Sequence, residues 1–176
     1  VLEGELVVGV IPTIAPYLLP RLLPVLEESF PKVRLKLFEL QTKKIIEALN
    51  TDEIDVGILA TPLKIPRITE RSLYWEPFQV LCQKSHDLNR LKRIKYSSLS
   101  ASDIWLLEEG HCMRHQVLDV SELRHKKKEV PRTYQFESGS LETLKNLVNS
   151  YGGYTLMPQL ATESIGSNVS LIPFER

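Results

Sequence analysis

The chain has 176 residues, of which 43% are apolar, 25% charged and 7% aromatic, a composition that buries a core as one or two small domains and excludes a disordered chain. Twenty-two basic residues balance twenty-two acidic ones, so there is no broad positive field and the chain by itself reads as a poor binder of nucleic acid. No apolar run approaches the roughly 20 residues of a membrane span, and the start Val1-Leu2-Glu3-Gly4-Glu5 has no basic stretch leading into an apolar one, so a soluble, cytoplasmic protein without membrane contact is expected. Two cysteines, Cys82 and Cys112, are too few for a disulfide scaffold and lack zinc-like spacing, and neither a metal nor another cofactor is expected.

In chain order, Leu6 to Val10 is a short continuous apolar run, as in a strand buried on both faces of a parallel sheet. Tyr17, Leu18, Leu22, Leu23, Val25, Leu26 and Phe30 then recur at near-helical spacing after Thr13, and Pro20 and Pro24 are expected to delay or kink the first turns of that helix. Val33 to Leu40 alternates as a strand, Thr42 is a candidate cap for a helix over Lys43 to Asn50, and Val56 to Leu59 is another buried strand. This β-α-β-α-β order predicts a parallel, helix-covered sheet whose ligand crevice lies beyond the carboxyl ends of its strands, where Thr13 and Thr42 fall.

After Thr61 the pattern breaks at Pro62, Lys64, Pro66 and Arg67, and a domain crossing is placed there, giving lobes over 1–75 and 76–176. The second lobe is read as strand Phe78 to Cys82, strand Ile104 to Leu107, a polar cysteine-bearing segment over 108–132, strand Thr133 to Phe136, helix Leu141 to Ser150 and strand Tyr154 to Met157. Gly152 and Gly153 are placed to end that helix, and Arg124, His125, Lys126, Lys127 and Lys128 to form a solvated loop. The fold class expected is α/β, two Rossmann-like lobes with a cleft between them.

Cys82, inside an apolar strand, reads as packing, whereas Cys112 sits among Glu109, Gly110, His111 and Arg114 and reads as a reactive thiol. A thiol of ordinary pKa, about 8.5, is mostly protonated at neutral pH, so a reactive one needs cationic neighbours or a helix N-terminus. His111 and Arg114 are the neighbours at hand, although His111 alone reads as structural and Arg114 as a partner for Glu108 or Glu109. Three classes of function fit: a sensing domain built around Cys112, a thiol enzyme (a peroxidase or a Cys-His hydrolase), and a binding domain for a small metabolite.

Two stretches carry a family resemblance. Glu39-Leu40-Gln41-Thr42 with Leu49 and Asp52-Glu53-Ile54-Asp55-Val56-Gly57-Ile58 resembles "E-x-x-T … L … G-x-L-D-x-A-I" of LysR-type transcriptional regulators, and Ser140-Leu141-Glu142-Thr143-Leu144 through Gly153-Tyr154-Thr155-Leu156-Met157-Pro158 resembles their "S-x-x-T-L … G-x-G-I-x-L-L-P". Within the family, Pro12-Thr13-Ile14-Ala15-Pro16-Tyr17-Leu18-Leu19-Pro20 and Glu108-Glu109-Gly110-His111-Cys112-Met113-Arg114-His115-Gln116 are similar to its peroxide-sensing branch, whose signature is "E-D/E-G-H-C-L-R-D-Q".

The resemblance implies a periplasmic-binding-protein-like (type II) regulatory domain, not an enzyme, joined in the full regulator to an N-terminal helix-turn-helix domain and completed by a final strand and helix. It implies a homodimer or homotetramer that meets DNA and RNA polymerase only through the full-length regulator. Hydrogen peroxide would oxidise Cys112 to a sulfenic acid, with Arg114, His111, Thr13 and Thr42 around the peroxide. In that branch a second cysteine nine residues on closes a regulatory disulfide, and here that position is Ser121. Ser121 is then either an engineered Cys→Ser change that holds the reduced-type state or the mark of a natural one-cysteine sensor.

Overall fold

The computed structural model describes residues 2–120 and 138–175, so Ser121, the basic run at 124–128 and the strand expected over Thr133–Phe136 lie outside the described residues. The chain forms two compact units, Val1–Trp75 and Glu76–Arg176. Residues 59–77, between the last strand of the first unit and the first strand of the second, carry no helix or strand.

The first unit is a three-stranded parallel sheet of β1 (Gly4–Val10), β2 (Val33–Glu39) and β3 (Val56–Ile58), in the order β2-β1-β3, with α1 (Ala15–Ser29) and α2 (Thr42–Asn50) as the crossovers. Alternation along β1 sends its side chains to opposite faces. Val8 and Val10 are buried on one face against Ala15 of α1, with Leu19 and Leu37 packed beside them. Gly9 meets Ile45 of α2 on the other face. Gly9 pairs in register with Gly57, and an added Cβ would lie 3.2 Å from Ile45 Cγ1 at the first and 2.5 Å from Ile45 Cγ2 at the second. The fully buried Ile45 therefore sits directly on a floor of two glycines, which is how α2 comes so close to the sheet.

Two sequence expectations change in this unit. The first helix begins at Ala15, ahead of both internal prolines rather than after them, because Pro16 has the fixed φ that suits a first turn. Thr42 is the first residue of α2, not its cap: the cap position is Gln41, which makes no side-chain capping bond.

In the second unit, β4 (Phe78–Gln83) runs between β5 (Tyr154–Pro158) and β6 (Val169–Pro173), antiparallel to both. The strand expected over Ile104 to Leu107 is reduced to two isolated parallel bridges, Ile104 to Tyr154 and Leu107 to Ser138, because the backbone leaves β5 after one contact and pairs again further on. β6 has no counterpart in the sequence reading, since a five-residue run beside Pro173 gives too short a pattern to identify alone. α4 (Leu141–Tyr151) begins at Ser140, whose hydroxyl accepts from Thr143 N–H at 3.4 Å, and ends at Gly152 with φ 91°. The part of the expected polar segment that is described contains α3 (Cys112–Val120). Among the described residues no helix is long and apolar enough to cross a membrane.

The core of the second unit holds Val80, Leu81, Cys82, Tyr154 and Leu156 with no exposed surface. Burial, with the charge of Asp103 added, pushes the Cys82 thiol up to about 11 and raises the Tyr154 phenol in the same direction.

Two tests follow from this packing. Gly57→Ala forces a methyl against the immobile Ile45 and should cost about 1–3 kcal/mol, the usual range for overpacking, read as a lower urea midpoint at unchanged slope. Because the folded state holds Cys82 and Tyr154 protonated above their unfolded values, their stabilisation is complete below the unfolded thiol pKa of about 8.5 and is lost as pH rises through about 11. Urea midpoints should fall between pH 8.5 and 11, and less steeply in Cys82→Ala.

Candidate functional site

Cys112 reaches its position by a short, well-tied path. Leu107 bridges Ser138, and the Glu108 N–H donates to the Ser138 carbonyl at 2.9 Å. The chain then turns through Gly110, whose φ of 97° strains any residue with a Cβ, and enters α3 at Cys112. A helix in a protein is held mostly by packing of an apolar face rather than by propensity. Met113 and Val117, four residues apart and 5% and 2% exposed, supply that hold. With Leu107, Trp105, Leu144 and Leu156 they line a small hollow under the helix. Each buried side chain is worth about 1.5–3 kcal/mol.

With the next residue in the core, Cys112 is left half-buried on the first turn, at the positive end of the helix dipole. His111, just before the helix, is only 4% exposed, and its carbonyl accepts the Arg114 N–H at 3.0 Å. Its Nε2 is buried with no hydrogen-bond partner and lies 3.6 Å from Glu108 Oε1. Arg114 folds back over the turn, and its Nη1 donates to the Leu107 carbonyl at 2.6 Å, which occupies one of its five N–H donors. His111, Cys112 and Arg114 are thus gathered at one helix start.

Thr13 and Thr42 belong to the first unit. Thr13 is 5% exposed, between the carboxyl end of β1 and Ile14, the cap residue of α1, which makes no side-chain capping bond. The Thr42 hydroxyl, near the carboxyl end of β2, is buried with no hydrogen-bond partner. Capping therefore does not account for Thr42, although a threonine before a helix normally reads that way.

The sequence reading missed two participants. Glu108 was considered only as a partner for Arg114, yet its carboxylate is directed at His111. Gly139 carries the pair: a Cβ there would lie 2.9 Å from Glu108 Oε1 and 3.4 Å from His111 Nε2. The signal available was a glycine between two serines just before a helix, but nothing in sequence links it to residues about thirty positions earlier. Among the described residues no group of three or more His, Cys, Asp or Glu side chains is placed to hold a metal ion.

The family profile for the LysR substrate binding domain matches residues 1–175. The hydrogen peroxide-inducible genes activator of Dickeya chrysanthemi is 34% identical over 174 residues, 98% of this chain and 56% of its own length. The HTH-type transcriptional regulator EstR of Acinetobacter baylyi is 36% identical over 165 residues, 91% of this chain and 52% of its own length. The chain thus spans about half the length of the curated relatives it matches. Among solved structures, the reduced OxyR regulatory domain of Pseudomonas aeruginosa superposes with TM-score 0.83 at 33% identity, covering 98% of this chain and 83% of that one. A hydrogen-peroxide-bound cysteine-to-serine mutant of Corynebacterium glutamicum OxyR gives TM-score 0.88 at 31% identity, covering 99% of this chain and 55% of that one. These matched relatives are transcriptional regulators rather than enzymes, and solved regulatory domains of this kind have the periplasmic-binding-protein-like α/β fold with two sheets described above. By sequence over nearly its whole length and by fold, this chain belongs to the LysR substrate-binding domain family and is OxyR-like within it.

Proposed function

We propose that the chain is the peroxide-sensing regulatory domain of a LysR-type transcription activator acting in the cytoplasm, and that Cys112 is its sensor. One observation carries the reading: the half-buried Cys112 opens a helix beside a buried histidine, while the other cysteine is sealed in a strand. In this reading the Cys112 sulfur attacks one peroxide oxygen, the O–O bond breaks as the S–O bond forms, and the departing hydroxide takes up the thiol proton. The products are a sulfenic acid and water. The positive end of α3 and the Arg114 guanidinium stabilise the charge that moves from sulfur to oxygen. DNA and RNA polymerase are met only by the full-length regulator.

With Ser121 in the resolving position, the oxidised Cys112 has no intramolecular sulfur partner there. A second reading, a small-metabolite effector domain, is favoured by the 36% match to EstR, a regulator not named for peroxide. A metabolite that raises the melting temperature while leaving Cys112 unmodified would decide for it.

Brief exposure to stoichiometric peroxide with a dimedone trap should add one trap mass, and peptide mapping should place it on Cys112. Labelling confined to Cys82, or none at all, would overturn the assignment. Ser121→Cys should then form a peroxide-driven intramolecular disulfide, seen as a loss of two hydrogens by mass. If Cys112 still oxidises in that variant but no bond forms, the two-cysteine switch does not apply to this protein. The chain should also be a dimer by light scattering at micromolar concentration, since a net charge of zero adds no repulsion; a strict monomer would count against regulatory-domain pairing.

A further inference from the structure

We propose that Glu108 is a positioning residue for His111, admitted to it by Gly139, and that the pair fixes which ring nitrogen of the imidazole carries the proton beside Cys112. This rests on the reading of Cys112 as the peroxide-reactive thiol. Three independent observations meet at one point. His111 is 4% exposed and its Nε2 is buried with no hydrogen-bond partner, a state that costs free energy unless a partner is within reach. Glu108 Oε1 stands 3.6 Å from that nitrogen, on a side chain 40% exposed and free to adjust by a few tenths of an ångström. Gly139 lies against both, and any side chain there would intrude at 2.9 Å from Glu108 Oε1 and 3.4 Å from His111 Nε2.

The chemistry follows from the donor inventory. An ionised carboxylate only accepts, so the nitrogen facing it carries the proton, and a neutral imidazole has one proton to place. With Nε2–H turned to Glu108, Nδ1 is left as the ring's acceptor on the residue adjacent to Cys112. Nδ1 is then able to receive the thiol proton as sulfur attacks peroxide, and to return it to the departing hydroxide as water forms. The opposite tautomer would present an N–H there and have no such capacity. Glu108 thus acts through His111 and touches neither peroxide nor sulfur.

The test reads the tautomer directly and the chemistry separately. In the 15N-labelled chain, long-range 1H–15N correlation should show His111 as the Nε2–H tautomer. Glu108→Gln and Gly139→Ala, one removing the carboxylate's charge and the other displacing it, should both shift His111 toward a mixture or the opposite tautomer. Both should also slow dimedone-trapped oxidation of Cys112 at neutral pH by at least about tenfold, the scale of one charge-assisted hydrogen bond. Glu108→Asp should recover part of the rate. A wild-type His111 in the Nδ1–H form, or a tautomer unchanged in both variants, overturns the proposal whatever the peroxide chemistry. If the tautomer moves as expected but wild-type Cys112 does not react with peroxide, the sensor reading fails while the Glu108 assignment stands. A shifted tautomer with an unchanged Cys112 rate removes the link to reactivity and overturns the positioning role.

Discussion

The burial of Met113 and Val117 is the constraint that places Cys112. Those two side chains anchor α3, and their register on it leaves Cys112 on its first turn with only partial cover. The adjacent turn is fixed from the other side by the Leu107 to Ser138 bridge and by Arg114 reaching back to the Leu107 carbonyl. A cysteine on an unanchored loop would have the same neighbours in sequence and no fixed relation to any of them. Placement, rather than composition, separates Cys112 from the buried Cys82.

The two cysteines make the point within one unit. Cys82 lies on the central strand of the sheet, fully covered, with burial and Asp103 both favouring its protonated form. It is a small apolar side chain in effect, and its sulfur contributes packing. Cys112 lies beside the buried His111 and Met113 and is itself half-buried. The fold therefore seals Cys82 in the core and leaves Cys112 half-buried at the start of α3.

Much of the first unit was legible because its signals are local. Runs such as Leu6 to Val10 and the alternation from Val33 announce strands within a few residues, and the spacing of Ile45, Ile46 and Leu49 announces a helix. The glycine floor beneath Ile45 was invisible because it depends on the pairing of Gly9 with Gly57, forty-eight residues apart. In the second unit the reading of 108–132 as a polar segment overlooked Met113 and Val117, two apolar residues four apart that hold α3 but make a weak pattern. At the site, the cysteine and its sequence neighbours could be named from the motif. Glu108 and Gly139 could not be joined, because their meeting is created by the bridge between two distant segments.

In the proposed reading, the serine at position 121 changes what an oxidised Cys112 becomes. A sulfenic acid persists only while no nucleophile reaches it, and in that reading a hydroxyl, which does not exchange with sulfur, stands at the position of the resolving thiol. The remaining routes are capture by an external thiol, condensation with a backbone nitrogen, or further oxidation to the irreversible sulfinic acid. Which route prevails depends on access, and here the residues flanking the sulfur, His111 and Met113, are both buried. Bulky thiols therefore meet more obstruction than a second molecule of peroxide. A one-cysteine sensor of the proposed kind registers a single oxidation and is exposed to irreversible oxidation under sustained peroxide, so the second cysteine of a two-cysteine switch protects as well as signals.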